Sequence, residues 1–101
     1  MAGISATLTL LGKEFPNGYI DLPFCRMDLT IRESGFEQGK CFIPHRYYLS
    51  KADYDADPST FITVQNDPIP EIELPYVKSS DPIQAALVLL SSWFPGCEVF
   101  Q

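Results

Sequence analysis

A chain of 101 residues, 46% hydrophobic and 20% charged, has the size and balance of one folded domain that needs no staples. A net charge of −6, with three widely spaced cysteines (Cys25, Cys41, Cys97) and no CxxC, argues against a nucleic-acid backbone surface, a disulfide framework and a zinc site. No apolar run approaches the roughly 18–20 residues a membrane span requires.

The opening MAGISATLTLLG has no positive n-region and alternates Ala6, Leu8 and Leu10 with Thr7 and Thr9. It reads as a half-buried strand rather than a signal peptide, and a cytosolic chain is expected. Asn17-Gly18 is a tight-turn signal. From Cys25 the apolar set is Cys25, Met27, Leu29 and Ile31, with Arg26, Asp28, Thr30 and Arg32 opposite, the pattern of an antiparallel strand with one wet face. Just before it the phase is reversed, at Ile20 and Leu22, and it flips at Pro23-Phe24. Proline brings no N–H to a ladder, so the flip predicts an edge or a bulge. One extra residue there keeps both halves facing the core.

The segment IDLPFCR, residues 20–26, has a near copy in IELPYVK, residues 72–78. One copy leads into a strand and the other into a helix, and nothing outside these seven positions matches. Two similar bent strands are expected, not a tandem repeat. Between the copies, residues 33–39 form a polar, glycine-bracketed turn around Phe36, which is either an exposed anchor or folded back over the sheet. Residues 40–49 return as a strand with Cys41, Ile43, His45, Tyr47 and Leu49 on one side, and Pro44 marks an edge or another bulge. SKADYDADPST, residues 50–60, is a loop with a helical turn capped by Ser50. FITVQ, residues 61–65, reads as a short strand.

The helix is the best-marked element. Asp81 suits the N-cap, Pro82 the first helical position and Gln84 the third. Ile83, Ala86, Leu87, Leu90 and Phe94 form one apolar stripe, widened by Leu89 and Trp93, and Pro95-Gly96 stops it. CEVFQ adds a last short strand. The fold class that follows is α+β: one domain over residues 1–101, a twisted, mainly antiparallel sheet of five or six strands, and one C-terminal helix on one face. The closing helix resembles those that end many small bacterial and phage domains, a likeness of architecture rather than descent.

Chemistry finds little support. His45 is the only histidine. Cys41, four positions before it on one strand, lies about 13 Å away at about 3.3 Å per residue, and base catalysis needs about 3 Å. Asp53, Asp55 and Asp57 spell D-x-D-x-D, but a calcium loop would place glycine and glutamate where Pro58 and Val64 stand. Glu71 and Glu73 share a strand face about 6.6 Å apart, within the glycosidase range, though so small a chain offers no sugar cleft. No cofactor motif is present, so neither an enzyme nor a bound cofactor or metal is expected.

The charge layout points elsewhere. Residues 1–51 carry six bases and five acids; residues 52–101 carry eight acids and one base, Lys78. A basic protein partner is therefore expected, met by Asp53, Asp55, Asp57, Asp67, Glu71 and Glu73, with Phe36 as an apolar anchor. The function expected is a small binding module, such as an inhibitor of the immunity or anti-defence type. The alternative is an assembly subunit, such as a virion component, that pairs with its own copies through proline-bent edge strands.

Overall fold

The computed structural model describes residues 2–10, 12–31, 37–64, 67–76 and 81–101. In chain order the elements are β1 (Ala2–Leu10), β2 (Lys13–Leu22), β3 (Arg26–Ile31), β4 (Glu37–Ile43), β5 (Arg46–Tyr48), α1 (Lys51–Ala56), β6 (Ile72–Pro75), α2 (Pro82–Trp93) and β7 (Glu98–Phe100). Two antiparallel sheets result, one in the order β5-β2-β1-β7 and the other β3-β4-β6. The α+β class and the C-terminal helix stand as expected. The single sheet of five or six strands does not, because the strands divide four and three.

Proline explains the division. β2 pairs with β5 through Asp21 opposite Arg46, and β3 pairs with β4 through Arg26 opposite Phe42. Both pairings belong to one long ribbon, in which residues 22–25 face residues 43–45, one more on the first arm. The extra residue expected at Pro23 is therefore present. With Pro44 on the other arm as well, neither side brings a full set of N–H donors, and the ladder stops in one sheet and restarts in the other. For the same reason residues 40–49 are two strands rather than one; β5 ends at Tyr48, and Leu49 beyond it, expected on the core side, is 48% exposed.

The first hairpin also turns elsewhere than expected. β1 and β2 join at Gly12, whose φ of +74° lies in the left-handed region that only glycine enters without steric cost. Asn17-Gly18 instead lies inside β2. Ala6 pairs with Gly18 and Leu8 with Phe15, so Pro16 and Asn17 stand opposite the single Thr7 in a β-bulge. The bulge accommodates a proline that a regular ladder would reject.

Leu8, Ile20, Ile43, Ile72, Leu87 and Leu90 anchor a core shared by both sheets and α2, all at most 2% exposed. Asp81 caps α2, its Oδ1 accepting from the Ile83 N–H at 3.0 Å and the Gln84 N–H at 3.3 Å. The helix rests mainly on β1, β4 and β6. It buries Ala86, Leu87 and Leu90, while Val88 and Trp93 face solvent. The stripe is thus narrower than expected at Trp93. Because α2 stops short of covering β3, Met27 and Leu29 remain 46% and 44% exposed, and the face expected to be buried there is half open.

The stretch expected as a strand at residues 61–65 contributes only a bridge from Ile62 to Tyr47; Gln65, like Phe36, lies outside the described residues. Among the described residues no helix is long and apolar enough to cross a membrane. The molecule measures 51 × 26 × 24 Å, its long axis about twice its width.

Candidate functional site

The segment from Leu49 to Ile62 leaves β5, forms α1 and returns to its start. The Ile62 N–H donates to the Tyr47 carbonyl at 2.7 Å and closes the loop. Its local structure follows from its sequence. Ser50 accepts from the Asp53 N–H at 3.1 Å and starts α1, satisfying one of the first-turn donors. Asp57 ends it: its N–H reaches the Asp53 carbonyl at 3.0 Å, and its carboxylate accepts from the Ser59 N–H and hydroxyl at 3.0 and 2.7 Å. Those two bonds hold the Asp57 carboxyl below the usual carboxylate range.

Aromatic rings fasten the loop to the first sheet. Tyr54 on α1 packs on Tyr19 and Tyr48, with ring centroids 5.0 and 5.1 Å apart. The Tyr48 hydroxyl donates to the Pro58 carbonyl at 2.5 Å. Lys51, the sole base of residues 50–60, turns inward. Its ammonium lies 4.9 Å from the Phe100 ring and 2.6 Å from the Asp55 carboxylate. The outer surface of the loop is left to carboxylates. Asp53, Asp55 and Asp57 are all exposed, flanked by Leu49 and by Phe61 at 42% exposure. Arg46 stacks on Phe61 at 4.7 Å and so shares its edge of the patch.

Beneath this loop lies a buried carboxylate, Asp21, on β2. Burial pushes its carboxyl above the usual range, and the cross-strand Arg46 works in the opposite direction.

The other three expected acids sit elsewhere. Asp67 Oδ2 is 2.7 Å from His45 Nε2, while its Oδ1 accepts from the Tyr47 hydroxyl and from the Ile69 N–H at 3.1 Å. Burial alone would raise the Asp67 carboxyl, but these bonds outweigh it and hold it low. Burial and the bond to Asp67 push the Tyr47 phenol far up. The group resembles part of a histidine relay. Among the described residues, however, the His45 ring has no hydrogen-bond partner besides Asp67, and its Nδ1 is buried without one. What the geometry does is fasten residues 67–69 to β5. Glu73 pairs with Lys40 at 2.9 Å on the wet face of the second sheet, and Glu71 is exposed just before β6. Among the described residues no group of three His, Cys, Asp or Glu side chains is placed to hold a metal ion.

Sequence reasoning missed Leu49 and Phe61, both assigned to strands. The adjacent Ser50 N-cap and the Asp-Pro-Ser-Thr turn at residues 57–60 were the signals that each lies where a strand ends. The chain matches no protein-family model, no curated protein and no solved structure.

Proposed function

We propose that this protein is a small cytosolic protein-binding module, of the inhibitor kind, that docks its α1 loop on a basic surface of its partner. One observation carries the reading: two exposed apolar side chains, Leu49 and Phe61, flank three exposed carboxylates, Asp53, Asp55 and Asp57, on a loop fixed by an aromatic cluster. Apolar anchors supply binding energy when desolvated, and surrounding charge steers the encounter. A pre-ordered loop loses less conformational freedom on binding than a mobile one. Lys51, the one cation of residues 50–60, is taken up by Asp55 and the Phe100 ring, which leaves Asp53 and Asp57 without a competing cation from the loop.

Photo-crosslinking in the native host tests this. A photoreactive side chain is placed at position 49 or 61, with position 88 on α2 as the control. A protein with a basic surface should be captured at 49 and 61 but not at 88. Asp53→Asn, Asp55→Asn and Asp57→Asn together should then slow its association severalfold. Raising salt from 0.1 to 1 M should do the same as the Debye length shrinks from about 10 to about 3 Å. Capture confined to position 88, or an association rate unmoved by both changes, defeats the reading.

A further inference from the structure

The outer edge of β3 is the longest strand edge in the second sheet, and its chemistry is self-complementary. β3 runs Arg26–Ile31 and, among the described residues, pairs only with β4. Which of its backbone groups face outward follows from the neighbouring ladder. The Tyr76 N–H donates to the Gly39 carbonyl at 2.9 Å, so the polar groups of Gly39 point toward β6. In an antiparallel strand these directions alternate along the chain. Lys40 therefore points toward β3, and Asp28, opposite Lys40, points back toward β4. Met27 and Leu29 are left aiming their N–H and C=O groups away from β4, at the open edge. Among the described residues those groups have no backbone partner.

The side chains fit the same geometry. Met27 and Leu29 share the half-covered apolar face, with Leu29 lying over Gly39, where a Cβ would come within 2.6 Å of Leu29 Cδ2. Arg26 and Asp28 lie on the opposite face, 64% and 63% exposed and 3.7 Å apart.

We propose that two copies of this chain join through β3 in antiparallel pairing, with the twofold axis at Met27. In that register Met27 of each copy exchanges hydrogen bonds with Met27 of the other. Arg26 of each copy then stands opposite Asp28 of the other, in the non-hydrogen-bonded pairs where side chains approach most closely. The two three-stranded sheets become one of six, and the apolar faces of Met27 and Leu29 meet across the joint. Charge selects this register over its neighbours. An axis at Asp28 sets two carboxylates against each other, and an axis at Leu29 leaves Arg26 with no acid opposite. The surface is distinct from the α1 loop, so the pairing neither requires nor excludes a bound partner there.

Sedimentation from micromolar to millimolar concentration tests the pairing. The native chain should form a reversible dimer. Asp28→Arg, which makes both edge charges basic, and Arg26→Asp, which makes both acidic, should each weaken self-association by about tenfold or more, since like charges face one another. Mixing the two variants should restore a heterodimer at least as tight as the native pair. Both positions are solvent-exposed, and unchanged far-ultraviolet circular dichroism identifies any variant that has lost the fold. In parallel, the Met27 amide should become protected from exchange as concentration rises, while the Arg26 amide is protected throughout. A chain monomeric at millimolar concentration overturns the proposal. So does a dimer indifferent to both substitutions, or a mixture that fails to associate.

Discussion

Two tyrosines packed against the same core differ in what their hydroxyls find. Tyr47 donates to Asp67, whereas the Tyr19 hydroxyl is buried without a partner among the described residues. A hydrogen bond to a charged group contributes about 1.5–3 kcal/mol, while a buried, unpaired hydroxyl costs about 1–3 kcal/mol. Tyr47→Phe should therefore lower the unfolding free energy by about 1–2 kcal/mol, and Tyr19→Phe should leave it unchanged or raise it, as urea titration would measure. Asp67 adds a pH dependence of known sign. Its carboxyl is held low in the folded state, so its contribution is full above the unfolded value of about 4 and is lost as pH falls through the folded one. Urea titration of Asp67→Asn should show a deficit at pH 7 that shrinks toward pH 3. With its side chain 44% exposed, solvent screening keeps that deficit small.

Among the elements, α2 makes the clearest contrast between adjacent residues. Leu87 is 1% exposed against the sheets, and Val88 is 64% exposed on the far side. Leu87→Ala removes buried methyl groups and leaves a cavity, so unfolding should become easier by about 2–5 kcal/mol. Val88→Ala should shift stability by no more than about 0.5 kcal/mol. Thermal or urea unfolding of the two variants checks both values. A reversed order would mean that the helix presents its other face to the sheets. The prolines act at this scale as well. Pro16 sits in a bulge, Pro23 and Pro44 lie where the ribbon leaves one sheet for the other, and Pro75 ends an edge strand. None occupies a position where a central ladder requires its N–H.

For the whole molecule, the uneven cover of the sheets sets where stability resides. β1 and β2 share the buried core of Ile4, Leu8 and Ile20, whereas β3 carries the half-exposed Met27 and Leu29 at its outer edge. Regions with few buried apolar contacts open at lower free energy than the core. Hydrogen exchange should therefore be slowest at Ile4 and Ile20 and faster at Asp28 and Thr30, although the latter amides are bonded to β4; equal rates would indicate one cooperative unit. The sequence by itself determined the features set by neighbouring residues. These are the α2 cap at Asp81-Pro82 and its buried stripe, the Ser50 cap of α1, the alternation of β1, and the phase flip at Pro23 with its one extra residue. Each is local, because a side-chain period, a cap or a missing N–H acts within a few residues. The sequence also placed Asp53, Asp55 and Asp57 in a loop. Only the tertiary structure decided that the prolines divide one ribbon between two sheets, because that takes Pro44 standing against Pro23 across the pairing. Only it left Met27 and Leu29 half in solvent, since an apolar residue is buried or exposed according to which element covers it, and α2 packs on β1, β4 and β6 and leaves β3 open.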